Sequence, residues 1–332
     1  MIISPFRAII PLGHRGGAIN WATRTPSALV LTALSPTSIR AAWANAGTGF
    51  DGHSVEISTD GVNFTEEDTV LFGTNTLDIT GLTSGTLYYV RVRAYKGVEY
   101  SPYCDIVSEE TIYLPTDIAN GYFRWAADAI VGLNNADPVT TWEDGFASNN
   151  DLAQTTAGSK PTYRTNQING LPIVQGDGTA DWMRKLTVTS TQPITVYAVI
   201  QPQAGSASKI FLAFDGISLS TVLATGKMRF SAYAGASLQT GDTIDWGLTA
   251  IGSFVINGAS SAIYTNGGFE KTGNVGAGNG GRLHICSDTA ATAFSDAFLA
   301  ELIGYTGAHD ATTRRRLEEY LSWKWAVELE PI

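Results

Sequence analysis

The residue types best placed for chemistry fall between Gly176 and Trp246. In Gly176-Asp177-Gly178-Thr179-Ala180-Asp181-Trp182 two carboxylates precede a tryptophan, and Tyr233 and Trp246 add aromatic rings further along. An aromatic face stacks on the apolar face of a pyranose, while planar polar side chains pair with its hydroxyls. Trp182, Tyr233 and Trp246 are therefore candidate carbohydrate-binding residues. Asp177 and Asp181 could add carboxylates to such a site or hold a calcium ion, whose oxygen ligands often come from loops of this kind. The competing reading is structural: aromatic residues in β-strands are mostly core, and Asp-Gly is mostly a turn.

Catalytic constellations are harder to find. Glycoside hydrolysis needs two carboxylates flanking the scissile bond. The Glu-x-Asp of the chain, Glu66-x-Asp68, lacks a closing glutamate and reads as a solvated acidic loop. Gly47-x-Gly49-x-x-Gly52 and Gly276-x-Gly278-x-x-Gly281 satisfy the dinucleotide fingerprint, but neither stands between a strand and a helix, so both read as loops. His14, His53, His284 and His309 show no metal-ligand spacing. No catalytic residue is expected, and no cofactor beyond the calcium already considered.

The elements that must position these groups are β-rich. Among 332 residues, 44% are hydrophobic, 16% are charged and 35 are glycine, enough to bury two cores built mainly from strands. A net charge of −10 works against non-specific binding to nucleic acid or an anionic membrane. No run of eighteen apolar residues occurs. Pro5, Arg7 and Pro11 interrupt the first apolar stretch, so no signal peptide is expected. Cys104 and Cys286 fall in different candidate domains, which offers neither a disulfide framework nor a cysteine zinc site.

Residues 1–25 carry Arg7, Arg15 and Arg24, no acidic residue, and no apolar periodicity. Such a segment makes no core of its own and is expected to be an extended docking arm, with Phe6, Arg7, Arg15, Trp21 and Arg24 as its partner-docking residues. From Pro26 short alternating segments are separated by turns. Asp60-Gly61 marks a hairpin, and Tyr88-Tyr89-Val90-Arg91-Val92-Arg93-Ala94 alternates with period two. Ala41-Ala42-Trp43, the Asp60-Gly61 turn and Gly81-Leu82-x-x-Gly85-Thr86-x-Tyr88-x-Val90-Arg91-Val92 together resemble a fibronectin type III domain over residues 26–112. The resemblance implies a core role for Trp43, a corner role for Tyr88, and a module used for spacing or adhesion. With 11 acidic and 4 basic residues this segment is strongly acidic.

Residues 113–332 form the second expected domain. Strands are legible at 194–200, 209–214, 228–233, 262–264 and 298–305, with Asn266-Gly267 as a turn. A helix follows over about 311–326, with Asp310 as its N-cap and Leu317, Tyr320, Leu321 and Trp325 on one face. Arg314, Arg315 and Arg316 sit in its first turn, against the macrodipole. Pairing of Arg314 with Glu318 and of Arg315 with Glu319 would recover part of that cost. Four segments carry a second resemblance: Trp125-Ala126-Ala127-Asp128-Ala129, Asn169-Gly170-Leu171-Pro172-Ile173-Val174-Gln175-Gly176-Asp177-Gly178, Tyr264-Thr265-Asn266-Gly267, and Leu299-Ala300-Glu301-Leu302-Ile303 with Tyr320-Leu321-x-x-Lys324-Trp325. Their order and spacing resemble the concanavalin A-like lectin/glucanase superfamily in its laminin-G-like branch, which implies a two-sheet jelly roll that in many relatives binds carbohydrate. The expected fold class is all-β: two β-sandwiches, an N-terminal arm and a C-terminal helix.

The whole chain resembles fibre or capsid-decoration proteins of tailed bacteriophages. That implies a non-enzymatic virion protein assembled in the host cytoplasm, bound to other virion proteins through its arm and to host-surface glycans through its second domain. It also implies a homo-oligomer, without nucleic-acid partners or membrane insertion. The alternatives are a capsid or tail ornament without ligand, and a glycan depolymerase.

Overall fold

A computed structural model describes residues 19–203, 209–224, 227–241, 244–245 and 247–331. Almost all of its regular structure is antiparallel strand, with one α-helix near the C-terminus among the described residues. The chain divides into two compact units; the first extends to Glu110, apart from two short turns grouped with the second.

The first unit contains β1 (Ser27–Ser35), β2 (Ser38–Ala44), β3 (Gly52–Ser58), β4 (Thr65–Leu71), β5 (Thr76–Thr80), β6 (Leu87–Lys96), β7 (Glu99–Tyr100) and β8 (Val107–Glu110). One sheet runs β1-β2-β5 and the other β4-β3-β6-β7, with β8 also on β6. Inward residues of both sheets form one core, with Trp43, Val55, Ile79, Tyr88, Val90 and Val92 buried in it. Trp43 thus lies in the core, as the resemblance implies, and Tyr88, for which it implies a corner role, is buried in the same cluster. The Asp60-Gly61 turn is longer than a tight hairpin, because β4 begins only at Thr65. The Asp60 carboxylate accepts from the backbone amides of Val62 and Asn63, closing the loop by side chain instead of by strand pairing.

The second unit contains β9 (Gly121–Ala126), β10 (Thr141–Trp142), β11 (Leu152–Ala153), β12 (Thr162–Ile168), β13 (Leu171–Gln175), β14 (Met183–Lys185), β15 (Ile194–Gln201) and β16 (Lys209–Phe214). It continues with β17 (Ile217–Ala224), β18 (Lys227–Tyr233), β19 (Ser237–Gln239), β20 (Ala250–Ile256), β21 (Ser261–Thr265), β22 (Gly268–Gly273), β23 (Leu283–Ile285), β24 (Phe298–Thr306) and α1 (Ala311–Trp325). One sheet has the order β10-β11-β14-β23-β16-β17-β18-β19; the other runs β12-β13-β24-β15-β20-β21-β22, with β9 also on β24. Their inner faces share a core that includes Trp125, Trp142, Met183, Phe211, Phe230, Phe254 and Leu302. Asn266 and Gly267, both at positive φ, make the tight turn between β21 and β22.

The helix covers the outer face of the second sheet. Alternate residues of β15 explain why that strand is apolar throughout: Val196, Ala198 and Ile200 enter the central core, while Tyr197 and Val199 pack under α1. Asp310 caps the helix, its carboxylate accepting from the Thr313 amide at 2.7 Å. Leu317, Tyr320, Leu321 and Trp325 are buried on one face, each contributing about 1.5–3 kcal/mol by burial. Both arginine pairs form, Arg314–Glu318 at 2.6 Å and Arg315–Glu319 at 3.1 Å. The first is more than compensation for the macrodipole, because Glu318 is fully buried and also accepts from Ser253 on β20, tying the helix to the sheet.

Candidate functional site

Period-two alternation places the polar residues of the first sheet of this unit on the face turned away from the core. Its strands contribute Trp142, Leu152, Met183, Ile285, Leu212, Leu219, Ala232 and Leu238 inward. Their neighbours therefore point outward. Cross-strand pairing aligns those neighbours in one row across all eight strands: Thr141, Ala153, Arg184, His284, Ala213, Ser218, Tyr233 and Ser237. A second row on the same face runs Ile210, Ser220, Ser231 and Gln239. The result is a mixed strip in which Thr141 and Ser237 are exposed and Ser218 and Gln239 half-buried, while Ala213, His284, Ser220 and Ser231 are buried. None of these eight strands contains an aspartate or glutamate.

Two of the three aromatic residues expected from the sequence lie on this face. Tyr233 is 47% exposed at the end of β18. Trp182, just before β14, is half-buried and already engaged: its ring stacks on His284 with centroids 5.7 Å apart, and the Arg184 guanidinium lies 4.7 Å from its centroid. It is thus the wall of a built stack and not a bare platform. Tyr233 and the Arg184–His284 end share a row but stand four strands apart, about 19 Å at ~4.8 Å per strand. Trp246 lies outside the described residues.

His284 is 1% exposed, and neither ring nitrogen has a hydrogen-bond partner among the described residues. Burial, reinforced by Arg184, pushes its pKa down to about 4, so the ring beneath Trp182 is neutral at neutral pH. Sequence reasoning passed over Arg184, His284 and the serines. Their signal was the alternation in Ile217-Ser218-Leu219-Ser220 and Met228-Arg229-Phe230-Ser231-Ala232-Tyr233, which acquires meaning only once the strand order is known.

Asp177 and Asp181 sit beside this stack in a turn. Burial opposes charge on Asp177, but donation from the Thr179 amide and hydroxyl and from the Ala180 and Asp181 amides holds its pKa down to about 2. Asp181 is 6% exposed; burial, with Asp177 adding repulsion, raises its pKa to about 6. A calcium ion requires six to eight oxygens. Asp177 is occupied by its own turn, and no cluster of three metal-ligating side chains occurs among the described residues. These two aspartates therefore do not fit a calcium site by themselves. The Asp177 carboxylate shapes the loop that delivers Trp182, accepting from the amides of Thr179, Ala180 and Asp181.

The glycine-rich segment from Gly276 to Gly281 is a loop. Its glycines allow backbone to approach backbone: a Cβ on Gly276 would stand 2.1 Å from the Ala234 carbonyl oxygen, and one on Gly278 2.2 Å from that of Gly216. Close packing at the sheet end accounts for the spacing without a nucleotide.

Of the expected docking residues, Phe6, Arg7 and Arg15 lie outside the described residues. Trp21 is half-buried in a short 3₁₀ turn, Trp21–Thr23. The Arg24 guanidinium donates to the Thr48 and Asn20 carbonyls at 2.9 and 3.0 Å, which fastens the end of the segment to the first unit.

Comparison with known proteins bears on the first unit. Residues 24–107 match the fibronectin type III domain, and the two-sheet core described above is that domain's. Similar solved structures include a computationally redesigned β-sandwich protein, 23% identical, covering 27% of this chain and 90% of that one with a TM-score of 0.24. The sixth fibronectin type III domain of a human fibronectin type III domain containing protein 3 is 21% identical, covering 31% of this chain and 94% of that one, with a TM-score of 0.26. Chicken CNTN1 domains FN1–FN3 are 17% identical, covering 27% of this chain and 32% of that one, with a TM-score of 0.26. No curated protein matches the chain.

Proposed function

We propose that this is a non-catalytic adhesion protein whose second unit binds carbohydrate on the outer face of its hydroxyl-lined sheet, after a fibronectin type III spacer. The supporting observation is the transverse row from Arg184 and His284 to Ser218, Tyr233 and Ser237. Hydroxyls and an amide donate and accept as sugar hydroxyls require, and the exposed Tyr233 ring stands where a pyranose would stack. The same strands lack the carboxylate pair of a glycoside hydrolase. The lectin-like resemblance of this unit agrees with a ligand on a sheet face.

The setting we propose is the virion of a tailed bacteriophage, as a fibre or capsid decoration assembled in the host cytoplasm. Residues 1–25 would dock on other virion proteins, and several copies would face the host surface. Domain order supports that setting. Many weak glycan contacts on one particle would then add through high effective concentration.

The test is binding of the full chain to a panel of bacterial surface polysaccharides, with released reducing ends measured in parallel. The expected result is saturable binding without release, weakened about two- to tenfold by Tyr233→Ala. Reducing ends above background would make the protein a depolymerase; no binding to any polysaccharide would leave a structural ornament.

A further inference from the structure

We infer that the glycan taken by this face is anionic, a polysaccharide carrying carboxylates that the guanidinium of Arg184 reads; this inference rests on the carbohydrate reading above. The first observation is charge. The chain has a net charge of −10, yet the eight strands of this sheet hold no acidic residue, and by pairing register Arg184, Lys227 and Arg229 face outward. The cations of the strands act at contact range, because screening at physiological salt cuts off charges beyond about 8 Å. The carboxylates near this corner, Asp177 and Asp181 beside Trp182 and Asp215 and Asp288 near His284, all belong to the flanking loops.

The second observation is how those cations are held. Lys227 pairs with Asp245 at 3.0 Å, but both side chains are about half exposed, and such a pair is readily exchanged for another anion. Arg229 is already engaged, with Gln239 at 3.4 Å as one of its partners, so it is not available to a ligand. Arg184 has no carboxylate partner among the described residues and is fixed by its place over the Trp182 ring. A stacked guanidinium keeps its planar fork of donors, and that fork matches a carboxylate with two parallel hydrogen bonds.

The third observation is geometric. His284, paired directly with Arg184, is buried and stacked under Trp182, so the corner is rigid and contributes a neutral ring. From this corner the row leads through Ala213 and Ser218 about 19 Å to Tyr233, a length suited to an oligosaccharide segment and not to a single sugar. A nucleic acid would want a dense line of cations along its phosphates. Here one stacked cation is followed along the row by a neutral histidine, an alanine, a serine and a tyrosine, which suits a sugar polymer with spaced acids.

The experiment compares the full chain on polygalacturonate and polysialic acid, on dextran sulfate, and on neutral dextran and mannan. Expected is retention by a carboxylated polymer in preference to the neutral ones, falling tenfold or more between low salt and about 0.5 M. Arg184→Gln should weaken that binding about tenfold or more. Arg184→Lys, which keeps the charge without the fork, should regain only part of it. Retention by dextran sulfate alone would overturn the carboxylate assignment. Equal, salt-insensitive binding of neutral polymers, unaffected by Arg184→Gln, would overturn the anionic inference while leaving carbohydrate binding intact. Binding to none would remove both.

Discussion

Replacing Glu301 by glutamine should loosen the helix from the sheet. A bulge opposite Val199 and Ile200 puts both Ala300 and Glu301 on the side of β24 that faces α1, so a carboxylate lies fully buried under the helix. It accepts from Arg124 Nε and Lys324 Nζ at 2.8 Å, from Trp325 Nε1 at 2.9 Å and from the Tyr320 hydroxyl at 3.2 Å. Burial opposes its charge, but Lys324 and Arg124 hold its pKa below the ordinary glutamate value. Its stabilisation is therefore present above the unfolded pKa and is lost as pH falls through the lower folded one. Removing one partner of a buried ion pair costs about 3–5 kcal/mol. Here Arg124 keeps the Tyr320 hydroxyl at 2.7 Å and Lys324 keeps Asp128 at 2.8 Å, which favours the lower end, about 3 kcal/mol. For a unit of this size each kcal/mol shifts Tm by about 2–4 °C, so a fall of roughly 6–12 °C is expected. Scanning calorimetry of the full chain would show it in the transition of the second unit, with that of the fibronectin type III unit unmoved. Glu319→Gln is the control, since Glu319 is 50% exposed and its pair with Arg315 contributes at most about 1 kcal/mol. A Glu301→Gln shift no larger than that of Glu319→Gln would refute the proposed anchoring.

Other substitutions test neighbouring parts of the structure. Asp181 is buried with its pKa raised to about 6, so its contribution to stability is lost as pH rises through that value; Asp181→Asn should stabilise the second unit by roughly 2–3 kcal/mol at neutral pH, with the gain closing toward pH ~4 in chemical denaturation. Gly176→Ala would bring a Cβ to 2.1 Å from the Ser295 carbonyl oxygen and should cost about 1–3 kcal/mol, read as a lower denaturation midpoint. Leu321→Ala, at a fully buried helix position, should cost about 2–5 kcal/mol in the same measurement.

Much of the architecture was legible where local rules govern it. Trp43 and Tyr88 fall in the core of the first unit, Asp310 caps the helix, Leu317 and Trp325 face inward, and Asn266-Gly267 makes its turn. These depend on residues close in sequence. The candidate face depends instead on which strands become neighbours: Arg184 meets His284 a hundred residues later, and Ser218 meets Tyr233 only through the register of β17 on β18. Hydrophobic alternation identifies outward residues but does not order the strands. Glu301 was hidden for a related reason. In Leu299-Ala300-Glu301-Leu302-Ile303 it reads as an outward polar residue of a strand, and only the bulge with the overlying helix turns it into a buried acceptor. Trp182 shows the limit of residue type alone, since its ring is already stacked on a histidine that the sequence marks only by isolation.

Glycan binding by two variants measured side by side separates two surfaces of the second unit that each offer an aromatic ring. Ser218→Phe fills the middle of the outward row. Trp323→Ala removes a 43% exposed ring beside a concavity of about 520 Å³ next to α1, on the other sheet. Carbohydrate binding on the hydroxyl-lined face predicts that Ser218→Phe abolishes binding while Trp323→Ala leaves it unchanged. Retained binding in Ser218→Phe with loss in Trp323→Ala would contradict it and move the ligand to the helix side.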